Sequence, residues 1–567
     1  MSPSIDTTGT VPAAGLKHPL GGYEALGMQG TVCVIYNGLS RQAHKLSPSD
    51  MRDMHLKATC GADWCDTHYT ELHPSKEEYV FNYRRLAGDI MRDCQAKGTY
   101  TDAFERRAGV WARADGGLVI NNERELWTPE GDTLEHGPRD GYVYSAGGNV
   151  GFERDTPLAT PEEVQRVRRT FSAIEWRNPL GAELLLGWFA IAIVSSALRC
   201  RPHLLLTGGA GIGKSTLLEL MGWLLGRLAF RTTGPQTLAA YYQALNGTTR
   251  AVVLDEFEAD SGKLACKATF EMSRMSYSLQ DGDEGIVRGT VSVNARSYRT
   301  CAPFLAAGIT PGRMDPADVT RWVVLEAVAR KNGGTRMSES EAREIGPRLA
   351  RLFVHRWPVF QANMKTLRAC ILRAGGSDRM ADTVGTLLAA SWTFESDTPA
   401  TDEDAQVLVE MLDINERIAL HQDCDEERCL EALLSKVLPF QLQEGQYLVR
   451  QNLSVGQVIA KVCEDPTGTP ELVQRLAQMG IRVVCKQGVW QVYIANSPEH
   501  QELRRLFAGT KWSQGGWSTV LRRLPGGHES TQRVNLGAGT KACKVTVFDV
   551  PAELLPANDD DVKPLAA

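Results

Sequence analysis

No apolar run in this chain is long enough to cross a bilayer comfortably. The longest, residues 184–198, is broken by Gly187, Ser195 and Ser196, and a span needs about 20 consecutive apolar residues, so a buried helix is expected there. The chain also lacks a disulfide framework. Its thirteen cysteines are scattered without paired spacing, an odd number that fits reduced thiols in a cytoplasm. It lacks an excess of positive charge: 62 Lys and Arg against 68 Asp and Glu leave −6. Any nucleic-acid site must then be a local basic patch, because the protein as a whole repels phosphate. The first 22 residues lack the basic-then-apolar pattern of a signal peptide. Cys60, Cys65, His68 and His73 match none of the usual zinc spacings, so no metal is expected on them. No internal repeat is visible.

What is present suits a multidomain protein, since 567 residues exceed what one hydrophobic core normally spans. Composition and patterning divide it into a disordered start (1–22), a mixed α+β domain (23–155), a helical connector (156–199), an α/β core (200–335), a helical domain (336–435), a region with winged-helix order (436–555) and a tail (556–567). In the first domain, 29–36 suits a strand, 47–57 opens a helix, and 110–127 reads as a hairpin around Asp115-Gly116-Gly117. Thr160-Pro161-Glu162-Glu163 is a capping box with Pro at the first helical position; the helix it starts is expected to run to Trp176. Two helices followed by two strands within 453–496 give the winged-helix order, a fold that often binds duplex DNA. Trp512, Trp517, Arg522 and Arg523 precede a further hairpin at 532–549.

The chemistry concentrates in 200–335. His203-Leu204-Leu205-Leu206-Thr207 suits a buried parallel strand. Gly208-Gly209-Ala210-Gly211-Ile212-Gly213-Lys214-Ser215 follows, and 216–225 reads as a helix opening on Thr216. This is GxxxxGK[ST], the Walker A pattern, in its strand–loop–helix context. Glycines let the backbone wrap phosphate with its N–H groups, and the helix start favours anions. Lys214 is expected to reach the β- and γ-phosphates of ATP, and Ser215 to ligate Mg²⁺. A second apolar run, 251–254, ends in Asp255-Glu256, the Walker B arrangement. Asp255 is expected to hold Mg²⁺ and Glu256 to orient or deprotonate the attacking water. Glu258 and Asp260 lie just beyond.

With these motifs in place, 202–327 resembles the ATPase domain of superfamily 3 helicases, a branch of the AAA+ class, and within it the primase–helicases of phages, plasmids and large DNA viruses. Four features carry the resemblance: the short Walker A to Walker B distance; Gly282-Asp283-x4-Arg288; Phe304-Leu305-Ala306-Ala307-Gly308-Ile309-Thr310-Pro311; and Asp318-Val319-Thr320-Arg321-Trp322-Val323-Val324. Arg201-Pro202-His203 and the segment from Ala381-Asp382 to Ala389 also look like larger phage proteins of this type. The resemblance implies a hexameric ring hydrolysing ATP at subunit interfaces, in the cytoplasm of a bacterial host cell. Single-stranded or forked DNA is the implied partner. No primase carboxylate motif is present in 1–155, which leaves room for a separate primase. Arg321, or failing it Arg313, would be an arginine finger for the neighbouring subunit. Arg288, Arg296 and Arg299, with Tyr298 among them, would lie on a hairpin facing DNA, basic groups on phosphates and the aromatic on a base. One departure stands out. Where the family has an Asn that senses the γ-phosphate, this chain has Gly308, and Thr310 is the nearest polar substitute. A helicase loader or replication initiator, and a DNA-binding protein gated by ATP without helicase activity, fit the same motifs.

Overall fold

A computed structural model describes residues 21–555, apart from 74, 76, 259–262, 281, 282, 284, 285, 290–294, 310–313, 332–335, 413–424, 445 and 446. The chain divides into two compact units, 1–416 and 417–567.

The first unit is built on a six-stranded sheet, and its class is α/β. The strand order is Ile174–Trp176, Trp322–Arg330, His203–Gly208, Phe304–Ala307, Ala251–Asp255, Ala229–Thr233. The first strand is antiparallel to its neighbour and the other five run parallel. Successive side chains on a strand point to opposite faces. Leu205, Val252, Leu254, Phe304 and Ala306 thus pack on one face, in a cluster with Tyr241, Tyr242 and Phe270 of the helices Leu238–Leu245 and Lys263–Tyr277. The helices Gly181–Ile193 and Lys214–Leu225 cover the other face. Burial on both faces explains why these strands read as unbroken apolar runs.

The helix expected at 184–198 is Gly181–Ile193, buried at every residue from Leu184 onward. No helix among the described residues is long and apolar enough to cross a membrane. The capping box forms: Glu163 N–H donates to Thr160 Oγ1 at 3.3 Å, and Thr160 N–H donates to the Glu163 carboxylate at 2.9 Å. That helix spans Pro161–Phe171 and stops short of the expected Trp176. Residues 174–176 instead form the sheet's edge strand, a pairing with Trp322–Arg330 that a local helical pattern does not reveal.

Toward the amino terminus, Glu24–Gln29, Val32–Asn37 and Gln42–Leu46 form an antiparallel sheet backed by the helix Tyr83–Lys97. The hairpin expected around Gly116 is present as Gly109–Ala112 and Leu118–Asn121. It is tied to later parts of the same unit: Ser196 Oγ donates to the Val110 carbonyl, and Trp357 Nε1 donates to the Gly116 carbonyl at 2.9 Å. Cys60 and Cys65 lie in the core under the first sheet, and burial pushes their thiols up to about 12 and about 11.

The second unit contains a hairpin, Val437–Glu444 with Tyr447–Ser454, and the helices Val455–Glu464 and Pro470–Gln478. A four-stranded antiparallel sheet follows, in the order Ile481–Lys486, Val489–Ala495, Val545–Asp549, His528–Glu529. The helix Asp425–Leu434, read from sequence as the end of the helical domain, belongs to this unit. Trp517 is a core residue here. It is fully buried, stacks on Phe507 with ring centres 5.4 Å apart, and donates from Nε1 to the Ala495 carbonyl at 2.9 Å.

Candidate functional site

Three parallel strands deliver the candidate site to one edge of the sheet. His203–Gly208 runs into the glycine loop, Ala251–Asp255 ends on Asp255, and Phe304–Ala307 between them ends before Gly308. Ligands bind at the carboxyl ends of strands in open α/β sheets. The loop strand and the acidic strand are two strand spacings apart, about 10 Å.

The loop's backbone requires its glycines. Gly208, Gly211 and Gly213 have φ of +134°, +77° and +105°. A Cβ on Gly208 would lie 2.3 Å from the Ala327 carbonyl oxygen, whereas one on Gly211 would meet nothing within 4 Å. The loop therefore packs tightly beneath and stays open above. Gly213 caps the helix Lys214–Leu225 in the left-handed conformation, which leaves the helix's first N–H groups at the loop. Lys214 Nζ donates to the Gly208 and Gly209 carbonyls at 2.6 and 2.8 Å, so the ammonium is folded over the loop. Ser215 and Thr216 are exposed in the first turn, as are Gly209 and Ala210 in the loop; Ile212 is half-buried. These residues fit a polyphosphate: a cradle of glycines, a helix start and one cation converge on it.

Asp255 Oδ1 accepts the Glu256 backbone N–H at 2.9 Å. Glu256 itself is exposed and has φ +54°, a left-handed conformation that costs a non-glycine residue about 1 kcal/mol or more. The positive φ marks a tight turn directly after the strand that ends on Asp255, with Glu256 exposed at it.

Gly308 N–H donates to Leu206 O at 3.1 Å, and Phe257 N–H to Ala307 O at 2.8 Å. Glu258, given no role from the sequence, reaches this strand end as well: its carboxylate accepts Ile309 N–H at 2.5 Å. A Cβ on Gly308 would sit 3.3 Å from the same oxygen. A carboxylate thus stands beside the position where the resembling proteins carry an Asn. Arg330 is a second residue that sequence reasoning misses; its Nη1 lies 3.3 Å from where a Cβ on Gly213 would be. Thr310 and Arg313 lie outside the described residues.

Arg321 is not brought to this edge. Its carbonyl accepts His203 N–H at 3.0 Å, at the start of the strand that ends in Gly208. Five residues of strand separate it from its own loop, about 17 Å. The turn bearing it is anchored by Arg274, whose guanidinium holds Asp318 through two contacts of 2.5 Å and Asp315 at 2.9 Å. Arg321 N–H closes the turn on Asp318 O at 2.8 Å.

The basic hairpin forms as Ile286–Gly289 paired with Ala295–Tyr298, and its register sets Arg288 directly opposite Arg296. Directly paired positions share a face of a two-stranded ribbon. The expected turn at 290–294 lies outside the described residues. Two residues leave the expected DNA-facing set. Arg299 is 5% exposed and donates from Nη2 to Gln280 O at 3.0 Å. Tyr298 stacks on Tyr242, ring centres 4.9 Å apart, at the margin of the sheet's core. Arg201 is likewise a structural residue. It is 1% exposed, and its guanidinium donates to the carbonyls of Ser195, Ser276, Tyr277 and Leu279.

No protein-family model matches the chain, and no curated protein matches it. Among solved structures, the apo C-terminal region of NrS-1 aligns at 12% identity and TM-score 0.31, over 76% of this chain and 97% of that one. A second structure of the apo A form of the same region aligns at 12% identity and TM-score 0.33, over 93% and 96%. At these values the likeness carries neither fold nor function to this chain.

Proposed function

We propose that this chain is a ring-forming P-loop ATPase that moves along DNA, a helicase or translocase of phage or prophage replication with an AAA+ core. The observation that supports it most is the shared strand edge, where a glycine cradle with Lys214 stands beside Asp255 and a strained Glu256. Phe304–Ala307 lies between the two motif strands and runs parallel to both, so all three end on the same side of the sheet.

ATP would lie on the loop, with Lys214 on the β- and γ-phosphates; Ser215 and Asp255 would hold Mg²⁺. When bound, the metal supplies charge neutralisation on the phosphates. Glu256 accepts the proton of the attacking water, and its exposed position off the strand leaves room for one. Arg321 sits at the far end of the sheet and cannot serve its own loop. A head-to-tail ring sets one copy's loop edge against the next copy's opposite edge, which makes Arg321 the finger for a neighbour's nucleotide. The register pair Arg288 and Arg296 would meet DNA phosphates.

ATP turnover with and without single-stranded DNA, followed by strand displacement from a forked duplex, tests the reading. Turnover stimulated by DNA together with displacement supports a helicase. Turnover without displacement assigns the chain to loading or initiation, and absence of turnover overturns the ATPase.

A further inference from the structure

Two arginines share one tyrosine ring at the sheet edge remote from the loop. Arg321 Cζ lies 5.5 Å from the Tyr277 ring centre, and Arg379 Cζ lies 5.1 Å from it. Tyr277 is fully buried at the end of the helix Lys263–Tyr277, so it holds both cations in place. Nearby carboxylates are already engaged: Arg274 takes Asp315 and Asp318, and Arg368 takes Asp378 and Asp382. Arg321 Nη1 donates to Ala317 O, but its Nε is buried without an acceptor among the described residues. Burial, and then the charge of Arg379, disfavour the Arg321 cation. Two guanidinium groups held together without a carboxylate of their own favour an anion between them.

We infer that Arg321 and Arg379 form a two-arginine site for the terminal phosphates of a nucleoside triphosphate held on the loop of a second copy of this chain. The inference rests on the ring reading above and adds Arg379, which comes from the helical segment beyond the sheet. A bound triphosphate would then bridge two copies, and removing either arginine should weaken that bridge.

The test uses full-length protein carrying Glu256→Gln, so that added ATP persists, and sedimentation velocity across an ATP titration. Arg379→Ala should shift ATP-driven association to about tenfold higher nucleotide or more, with Arg379→Lys intermediate. Thermal unfolding without nucleotide should show both variants folded; if Arg379→Ala unfolds, Arg379→Lys alone decides, by its own shift. Association abolished in Arg321→Ala but unchanged in both Arg379 variants overturns the Arg379 assignment and leaves the ring standing. Failure of the Glu256→Gln protein to associate with ATP overturns the ring reading itself. Unchanged association combined with a flattened salt dependence of DNA binding would make the site a DNA-phosphate contact and overturn the inference.

Discussion

A Cβ on Gly308 would stand 2.3 Å from the backbone oxygen of Phe257. No side chain fits there without moving the turn that follows Asp255 and Glu256. The absence of a side chain at the end of the middle strand is therefore a packing requirement of this chain, with Glu258 occupying the adjacent space.

Placing an Asn at this position should do harm. Gly308→Asn and Gly308→Ala should each destabilise by about 1–3 kcal/mol, the usual cost of forcing atoms into a packed site. Chemical denaturation reads this directly. A Gly308→Asn variant of unchanged stability and increased turnover would show that the turn yields and that the position is a vacant sensor.

Lys214→Ala and Glu256→Gln should fail differently. Lys214→Ala loses the cation folded over the loop and should lose nucleotide binding or turnover. Glu256→Gln keeps the cradle and should bind ATP while barely hydrolysing it. Equilibrium binding of a fluorescent ATP analogue, paired with phosphate release, separates the two. Wild-type affinity and turnover in Lys214→Ala would remove the loop from the chemistry.

DNA binding should weaken steeply with salt, through Arg288 and Arg296 rather than Arg299. Removing one phosphate-binding side chain should reduce the slope of log K against log salt by about one unit. Arg288→Ala and Arg296→Ala should do so, whereas Arg299→Ala should lower stability and leave the slope alone. A reduced slope in a stably folded Arg299→Ala would contradict its buried position.

His203 should make the fold acid-sensitive. It is fully buried, accepts Phe304 N–H on Nδ1 at 3.1 Å and donates from Nε2 to Ser273 O at 3.0 Å. Burial brings its pKa from 6.5 down to about 3. The folded state thus keeps it neutral while the unfolded chain takes up a proton, so its contribution is whole above pH 6.5 and is lost as pH falls toward 3. Between those values stability should drop by about 1.4 kcal/mol per pH unit from this group alone. Denaturation midpoints of wild type and His203→Gln over pH 4–7 should show a shallower dependence in the variant; equal slopes would mean that His203 titrates normally.

The parts of the site legible in the sequence are those whose signal is local. The glycine loop announces itself because its positive φ values demand glycine at fixed spacing. Asp255 is found because Ala251 to Leu254 are buried on both faces of a parallel strand. What the sequence hides is pairing at a distance. The strand Ile174–Trp176 exists only through its pairing with the distant Trp322–Arg330, so it reads as the end of a helix. Arg299 looks like its basic neighbours until packing buries it against Gln280. Glu258 looks like one acid among several until Ile309 N–H claims it. Arg379 gives no local cue at all, because its meaning depends on Tyr277 and Arg321.

Each nucleotide should be served by two copies of the chain, and mixing two inactive variants decides whether it is. Lys214→Ala spoils the loop and keeps Arg321; Arg321→Ala keeps the loop and spoils the finger. In a mixed ring, the intact loop of an Arg321→Ala subunit meets the intact Arg321 of a Lys214→Ala neighbour. Each variant alone should be inactive, and the mixture should recover part of the wild-type ATP turnover, with native mass measurement confirming mixed oligomers. Mixed oligomers that stay inactive, or a wild type fully active as a monomer, would contradict it.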